Sequence, residues 1–294
     1  MYMVEDAGVR SAGVDRVRRG SGTQGVEWSV LLPFFNEATL LRATLVGLAA
    51  QTVRAFVILI DNGSTDGSGA VAERACRELG IPHRLVHEPI PGKVNALRAG
   101  LAHVATRFVA TCDADTWYPA DYLSEAERLL RRPRCVVAGA FYVGPAPTAA
   151  MLERAGRRIA RKARMLPRQS HTGGAGQAFR TDALRAAGGF DPKRWNWVLE
   201  DHEVVHRVTR YGDMRHGERF WCAPSPRPRD RASIRWNLTE RLLYSAAAPW
   251  AGDWFFYRFL AGRLRARQLT SERIRERAFQ QVGRDGLVAA YAMR

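Results

Sequence analysis

Paired cysteines, long apolar runs and lysine are scarce in this 294-residue sequence. Its four cysteines, Cys76, Cys112, Cys135 and Cys222, show no Cys-x-x-Cys spacing, which argues against a disulfide framework or a zinc site and predicts buried, reduced thiols. No apolar run reaches the ~18–20 residues of a membrane-spanning helix. The first residues contain no apolar signal core, so we expect a cytoplasmic protein and not an exported one.

Lysine occurs only at Lys93, Lys162 and Lys193, beside 42 arginines, and the net charge is +16. A basic, arginine-rich chain favours partners that carry phosphate, such as nucleotides, anionic lipid head groups or nucleic acid. The sequence has no recognisable helix-turn-helix, zinc or aromatic RNA-binding motif, which argues against nucleic acid.

Short apolar runs alternate with segments of helical spacing through the first half of the chain. This alternation predicts an α/β fold with a mostly parallel sheet flanked by helices on both faces. A flexible arm is expected over residues 1–25. The predicted strands cover residues 28–33, 55–60, 84–87, 108–112 and 135–141, and the predicted helices cover 38–51, 68–79, a segment from 92 and 120–131.

Two carboxylates, Asp113 and Asp115, follow the predicted strand at 108–112. Like charges this close repel each other, and the arrangement makes sense if a cation lies between them. A Mg²⁺ or Mn²⁺ ion that holds a diphosphate needs few protein carboxylates besides the phosphate oxygens. Ligands of open α/β sheets bind beyond the carboxyl ends of the strands, where this pair falls. A plain turn after the strand is the alternative.

The neighbouring strand ends are also polar. Asp61 begins a turn-forming cluster, and Gly92-Lys93 opens a helix whose N–H groups and lysine charge suit an anion. Asn36 and Glu37 follow the first strand, and we expect Asn36 to cap the next helix. Because the carboxyl ends of parallel strands meet at one edge of a sheet, these loops predict a site there.

The second half of the chain is less regular. Residues 151–165 predict a basic helix with a solvated face. The glycine-rich stretch at 170–179 allows close approach of the backbone to a ligand, and it is equally compatible with a tight bend.

Glu200 and Asp201 open an amphipathic helix at 200–208. Acidic residues in a first helical turn often only complement the helix dipole. Trp195 and Trp197 precede them, and a carboxylate beside two tryptophans also suggests a sugar-stacking platform on the acceptor side.

Together these segments resemble the GT-A glycosyltransferases of family 2, the inverting enzymes that use nucleotide-diphosphate sugars. The resemblance covers roughly residues 27–222, and no single motif carries it. It implies a Rossmann-like GT-A catalytic domain at 26–222, with a nucleotide-binding half at 26–118 and an acceptor-side half at 119–222. The six motifs, in the family's order, are Pro33-Phe34-Phe35-Asn36-Glu37, Asp61-Asn62-Gly63-Ser64-Thr65-Asp66, Gly92-Lys93 with Asn95, Asp113-Ala114-Asp115, Gly188-Gly189-Phe190-Asp191 and Glu200-Asp201.

The resemblance also implies a role for each matching residue. Asp201 would be the general base for the acceptor hydroxyl, with Glu200 beside it in the catalytic pair. Asp115 would be the main ligand of Mn²⁺ or Mg²⁺, and Asp113 would face the ribose and the metal. The residues implied to line the nucleotide and donor pocket are Pro33, Asn36, Glu37, Asp61, Lys93, Asn95, Asp113, Gly173 and Gly174.

The chemistry of glycosyl transfer is consistent with these roles. The departing diphosphate needs positive charge, which a divalent ion and Lys93 would supply. An inverting displacement needs one carboxylate within reach of the acceptor hydroxyl, and Asp201 near a helix N-terminus should stay ionised.

Residues 223–294 lie outside the resemblance, and a helical, basic-aromatic extension is expected there. Processive family members carry a Gln-x-x-Arg-Trp motif, but here Ala232 precedes Arg235-Trp236, so we expect transfer of a single sugar. The aromatic and arginine-rich segment at 238–264 has two interpretations. It packs over the sheet as a helical element, or it rests on an anionic membrane and reaches a lipid-linked acceptor.

The sequence therefore predicts a metal-dependent inverting glycosyltransferase that moves one sugar, with a UDP-sugar favoured as donor. The expected acceptor is a hydroxyl of a glycan, a glycolipid or a lipid-linked precursor in cell-envelope glycan biosynthesis, reached from the cytoplasm or the inner face of the membrane. The alternatives are a sugar-phosphate nucleotidyltransferase, a basic nucleic-acid-binding protein and a non-catalytic scaffold.

Overall fold

The computed structural model describes residues 25–167, 169–226 and 236–273. The expected N-terminal arm, apart from its last residue, lies outside the described residues. So do Ala232, Arg235 and the part of the C-terminal extension after residue 273.

One mixed sheet forms the centre of the molecule. Its strands are β1 (Trp28–Phe34), β2 (Ala55–Asp61), β3 (His83–His87), β4 (Phe108–Thr111), β5 (Thr116–Trp117), β6 (Cys135–Tyr142), β7 (Gln177–Arg180) and β8 (Asp213–Pro224). Their order across the sheet is β3-β2-β1-β4-β7-β6-β8-β5. The pairs β1–β2, β1–β4, β2–β3 and β6–β8 are parallel, whereas β7 is antiparallel to both β4 and β6. The short edge strand β5 is antiparallel to β8. The predicted, mostly parallel α/β sheet is therefore confirmed, with β7 and β5 running in the opposite direction.

Helices cover both faces of this sheet and continue into the C-terminal region. They are α1 (Leu41–Ala49), α2 (Ser68–Glu78), α3 (Lys93–Ala102), α4 (Tyr122–Leu130), α5 (Ala149–Met165), α6 (Thr181–Ala186), α7 (Glu200–Val208), α8 (Leu238–Asp253), a π-helix (Trp254–Leu260) and α9 (Ala261–Ala266). Within the described ranges, no helix combines the length and the apolar character that crossing a bilayer requires.

The alternating direction of side chains along each strand creates two cores. In β1, Val30 and Leu32 belong to the core on one face, while Leu31 belongs to the core on the other. Both sets are buried, as expected for a sheet with helices on each side. Helices α1, α2 and α4 cover the first face, and α3, α6 and α7 cover the second.

The C-terminal helices form a third core, which confirms the predicted helical extension. Phe255, Phe256, Leu260 and Leu264 pack there with Trp195. A capping box begins α8, in which Asn237 and Glu240 exchange side-chain and backbone hydrogen bonds. The carboxylate of Glu240 is fully buried and accepts hydrogen bonds from Arg263 and Arg267, each at 2.9 Å. These bonds fix α8 against α9.

Two features of the sheet were not predicted. The strand β7 lies inside the glycine-rich stretch, where only a bend or a ligand loop was expected. The long strand β8 contains charged and glycine residues at Arg215, Gly217 and Glu218, which interrupt the apolar pattern of a buried strand. The four cysteines are free and buried, as expected.

Candidate active site

The candidate site lies at the edge of the sheet where β1, β2 and β4 end and β7 begins. Because β7 is antiparallel to β4, its first residue, Gln177, pairs with Thr111, the last residue of β4. The glycine-rich residues before β7 therefore lie beside Asp113, which follows β4. We call the loops after β1, β2 and β4 together with the start of α3 the donor side. The glycine-rich loop and the start of α7 are the base side.

Lys93 connects the two sides. Its Nζ lies 2.6 Å from Asp113 Oδ1 and 3.9 Å from Glu200 Oε1. Burial disfavours the charged form, but the attraction of Asp113, Glu200 and Asp201 is stronger in sum, so the pKa of Lys93 is raised above its usual value. Lys93 is therefore a permanent positive charge among three carboxyl groups that the sequence had singled out.

Asp201 is held by the residue that follows it. Its Oδ1 accepts a hydrogen bond from the His202 N–H at 2.8 Å and lies 2.9 Å from His202 Nδ1. Burial acts to raise the pKa of Asp201, but the attraction and hydrogen bonds of His202, together with Lys93, place it below the usual value. Asp201 is therefore ionised at neutral pH, as a general base must be.

The neighbouring carboxyl group behaves differently. Burial raises the pKa of Glu200 to about 7, with Lys93 opposing the shift and Asp201 adding to it. The two adjacent acids thus have pKa values that are pushed apart, which is typical of catalytic carboxyl pairs. Leu199, immediately before them, has a left-handed backbone with φ of 65°. Such strain in a residue other than glycine is concentrated at functional sites.

The glycine-rich loop requires its glycines because it runs against Asp201. A Cβ on Gly173 would lie 3.2 Å from Asp201 Oδ2 and 2.9 Å from Tyr142 Oη, and one on Gly174 would lie 3.3 Å from Lys93 Nζ. Both glycines therefore allow the backbone of this loop to lie close to Lys93 and Asp201.

Two hydroxyl groups hold this loop to the strand that carries Asp113. Thr111 Oγ1 donates to the Gly174 carbonyl at 2.6 Å. The Tyr118 hydroxyl accepts from the Asp113 N–H at 2.9 Å and donates to the Ala175 carbonyl at 3.0 Å. Tyr118 is buried, so it positions Asp113 and the loop together.

The loops of the donor side are joined by side-chain to backbone hydrogen bonds. Asn36 Oδ1 accepts from the Thr65 N–H at 2.8 Å, and the Glu37 N–H donates to Ser68 Oγ at 2.8 Å. Asp61, at the end of β2, accepts from the Ser64 N–H at 2.8 Å. Pro33 lies one residue before the end of β1. The prediction that Asn36 caps α1 is wrong, because Leu40 is the N-cap residue and Asn36 turns to the next loop.

The prediction of an anion site at the first turn of α3 is also wrong in part, because protein side chains already accept hydrogen bonds from the Gly92 and Val94 N–H groups. The Gly92 N–H donates to Asn62 Oδ1 at 2.8 Å, and the Val94 N–H donates to Ser271 Oγ at 3.3 Å. Asn95 is buried, and its amide donates to the Pro91 carbonyl at 2.8 Å. At the start of α3, Lys93 is the group that places a positive charge in the site.

Asp115 lies deeper than Asp113. It is buried, its Oδ1 lies 3.4 Å from Thr116 Oγ1, and it lines a small pocket against Leu40 and Thr44 of the α1 region. In the described part of the chain, no three His, Cys, Asp or Glu side chains gather into a metal site. A divalent ion shared with a diphosphate takes only one or two protein carboxylates, so Asp113 and Asp115 are the right kind and number of ligands.

The structure corrects the predicted sugar-stacking platform. Trp195 is only 2% exposed, and its ring packs against Phe256 and Tyr257 in the C-terminal core. It is therefore a core residue and presents no face to a sugar. Trp197 is partly buried, and Arg265 lies 5.9 Å from its ring centroid.

Several residues of the site gave no signal in the sequence. Tyr142, at the end of β6, reaches Gly173, and Gln177 donates to the Asp201 carbonyl at 3.1 Å. The His202 ring packs against Trp236 and Tyr244, with ring centroids 5.1 and 5.8 Å apart. These contacts join segments that are far apart in the chain, so no local sequence pattern predicts them.

Comparison with proteins of known structure shows the fold. PcManGT, a mannosyltransferase from Pyrobaculum calidifontis solved with GDP-Man and Mn²⁺, superposes with a TM-score of 0.59 at 20% identity, covering 90% of this chain and 73% of that one. TarS from S. aureus, solved with UDP-GlcNAc, gives a TM-score of 0.52 at 16% identity, covering 75% of this chain and 64% of that one. At such identities the likeness concerns the fold, which is that of the GT-A enzymes.

Comparison at the level of sequence shows the family. The uncharacterized glycosyltransferase YaiP of Escherichia coli is 29% identical over 248 residues, which cover 73% of this chain. The match spans 59% of YaiP, so this chain corresponds to about three fifths of that relative's length. The model of glycosyl transferase family 2 matches residues 29–187, more than half of the 294 residues. The chain therefore belongs to glycosyl transferase family 2 and has the GT-A fold.

Proposed function

We propose that this protein transfers one sugar, with inversion, from a nucleotide-diphosphate donor to an acceptor hydroxyl, and that Asp201 is the general base. The observation that carries this proposal is the position of Asp201. Its carboxylate lies beside the glycine-rich loop, close to Lys93, which pairs with Asp113, and its pKa is lowered. A donor bound against this group of residues would have its diphosphate near Asp113 and Lys93 and its sugar near Asp201.

The reaction is a single displacement. Asp201 accepts the proton of the acceptor hydroxyl while the acceptor oxygen bonds to the anomeric carbon of the sugar. The bond from that carbon to the diphosphate oxygen breaks, and the nucleoside diphosphate leaves with the electron pair. Lys93 stabilises the negative charge that develops on the leaving group, since it is fixed in place before the reaction starts. Tyr118 and Thr111 hold the loop and Asp113 at fixed positions during the step.

A divalent cation fits the donor side. Asp113 and Asp115 would hold it together with the diphosphate oxygens, and Mn²⁺ or Mg²⁺ accepts such a ligand set. When bound, the ion supplies further positive charge for the departing diphosphate. The structure of PcManGT contains Mn²⁺ beside its nucleotide sugar, which supports the same requirement here.

We favour UDP as the nucleotide of the donor. TarS binds UDP-GlcNAc and PcManGT binds GDP-Man, so these two nucleotides are the first to compare. The acceptor is a hydroxyl of a glycan, a glycolipid or a lipid-linked precursor. Pro33, Asn36, Glu37 and Asp61 would lie around the base and ribose.

Calorimetric titration with UDP, GDP, CDP and dTDP, each with and without Mn²⁺, tests the donor side. We expect one nucleotide to bind in the micromolar range and only with Mn²⁺, and Asp115→Ala to weaken that binding at least ~10-fold because it removes a metal ligand. Asp121→Ala removes a carboxylate outside the site and is the matched control. Metal-independent binding, or equal binding by the Asp115 variant, would contradict the assignment of the metal ligands.

A further inference from the structure

A row of large apolar side chains projects from the C-terminal helices. Leu238, Leu242, Trp250 and Trp254 are 73, 62, 85 and 48% exposed. Leu238, Leu242 and Trp250 belong to α8, and Trp254 begins the π-helix beyond a kink at Ala251. We call these four side chains the apolar ridge. Single exposed apolar residues are ordinary, but four within seventeen residues of one helical region indicate a surface that contacts something apolar.

Buried contacts on the opposite side of these helices fix the orientation of the ridge. Glu240 is buried between Arg263 and Arg267, and Phe255 and Phe256 are buried in the C-terminal core. Turning α8 to bury the ridge would expose these aromatic rings and separate a buried carboxylate from its two arginines, which costs several kcal/mol in general. The ridge therefore remains on the surface.

The surroundings of the ridge are basic. Arg241, Arg258 and Arg265 are exposed on the same helical segment. The two acidic residues of this segment are paired: Glu240 bonds to two arginines, and Asp253 pairs with His206 of α7 and with Arg210, which follows that helix. The ridge therefore consists of apolar side chains with positively charged side chains around them.

A second basic element lies next to the ridge. All six basic residues of α5 are exposed, against one acid, Glu153. This helix ends four residues before Gln169, whose amide donates to the Tyr244 and Ser245 carbonyls of α8 at 3.1 and 2.9 Å. The segment that follows α5 is thus tied to the middle of α8, and α5 ends at the exposed residue Met165.

We propose that the apolar ridge binds the surface of an anionic lipid bilayer, with α5 adding electrostatic attraction to the head groups. Tryptophan prefers the boundary between head groups and acyl chains, and exposed arginines are attracted to anionic lipids. A protein partner of matching shape would not need the spread of positive charge on both helices, which complements a bilayer of negative charge.

The same helix that carries the ridge also reaches the active site. The Tyr244 hydroxyl accepts from the Ser170 N–H at 3.0 Å, and the Tyr244 ring packs against His202, the partner of Asp201. The base side therefore lies directly behind the ridge. Resting on the proposed function, this placement assigns the acceptor to the class of membrane-anchored hydroxyl compounds, whose reacting end reaches Asp201 from the bilayer surface.

Vesicle flotation with the full chain tests the membrane contact without donor or acceptor. The probes are vesicles of phosphatidylcholine alone and vesicles of equal parts phosphatidylcholine and phosphatidylglycerol. We expect binding to the anionic vesicles only, weakened by salt because screening reduces the attraction of the head groups. The double variant Leu242→Ser with Trp250→Ser should bind at least ~10-fold more weakly, since two large apolar side chains leave the interface.

The matched control is Val46→Ser with Ile90→Ser, which removes two exposed apolar side chains away from the ridge. It should bind as tightly as the unmodified chain. Arg241→Glu with Arg258→Glu is a second test, and it should abolish the preference for anionic vesicles while circular dichroism stays unchanged.

Three outcomes would overturn the proposal. The unmodified chain fails to float with anionic vesicles, the ridge variant floats like its control, or light scattering shows a dimer that the ridge variant converts to a monomer. In the last case the ridge is an interface between copies of the chain. Nucleotide titration and rates of sugar transfer to a soluble acceptor use no vesicles, so loss of membrane binding and failure of the proposed function are measured separately.

Discussion

The donor side and the base side of the candidate site are built in different ways. On the donor side, Asp61 ends the parallel strand β2 and Asp113 lies shortly after β4, and hydrogen bonds within their own loops hold them. On the base side, Asp201 begins a helix that is anchored by residues far along the chain. Tyr257 donates to Glu203 of α7 at 2.5 Å, and Trp236 packs against His202.

This difference shows that the C-terminal helices contribute contacts to the candidate site. Residues between 236 and 273 contact α7, the glycine-rich loop and the start of α3. The parallel sheet alone would leave the start of α7, with Asp201, without these contacts. Changes on the two sides should therefore separate nucleotide binding from transfer.

The largest effect is expected from Asp201→Asn. We expect kcat to fall at least ~10³-fold, since an amide cannot accept the acceptor's proton, while the affinity for the nucleotide changes little. Rates of sugar transfer and calorimetric titration of the nucleotide would measure the two quantities. Asp182→Asn, an exposed aspartate of α6, is the control. Transfer within tenfold of the unmodified protein would show that another group is the base.

A smaller effect is expected from Glu203→Gln, which breaks the buried ion pair with Arg207 inside α7 and weakens the hydrogen bond that Tyr257 of the C-terminal core donates to Glu203. Leaving the buried Arg207 without its carboxylate should lower the free energy of unfolding by ~3 kcal/mol. Chemical denaturation would measure this loss, and kcat should fall more than nucleotide affinity. Glu73→Gln removes an exposed pair with the same i, i+4 spacing and should cost less than ~0.5 kcal/mol. Equal losses from the two variants would mean that α7 is not held in this way.

The smallest effect is expected in the pH dependence of kcat, which His202 influences through the pKa of Asp201. The attraction and hydrogen bonds of His202 keep the pKa of Asp201 low, so His202→Ala should let burial raise that pKa. Because the base must be ionised, kcat should then fall off at a higher pH on the acidic side than in the unmodified enzyme. His202→Asn keeps a donor near Nδ1 and should restore part of the difference. An unchanged acidic limb in the alanine variant would argue against this positioning role.

The donor side could be predicted from the sequence because its signals are local. Each apolar run that ends in an acid or a glycine turn marks the carboxyl end of a strand, and parallel topology brings these ends together. Asp61, Lys93 and Asp113 were found in this way. Asn36 was assigned a local cap, but its hydrogen bond goes to Thr65, twenty-nine residues away.

The base side could be predicted only in part, because its geometry depends on distant segments. The sequence pattern indicated Glu200 and Asp201, but no residue near them in the chain predicts that Gln177, Tyr142 or Tyr244 belongs to the site. Trp195 was misassigned because an aromatic residue beside an acid suits both a binding platform and a core, and only the position of Phe256 decides between them. Strand β7 was missed because glycines precede it and its four residues are too few for a clear alternation.

The hydroxyl of Ser271 at the start of α3 has a consequence for how the chain acquires its native state. This contact joins residues 177 positions apart, and contacts of such sequence separation form late because a long loop must close first. During synthesis, the strands of the donor side emerge well before Ser271. The amide of Val94 thus receives its acceptor only after residue 271 has been synthesised, so this helix terminus is completed after the strands of the donor side.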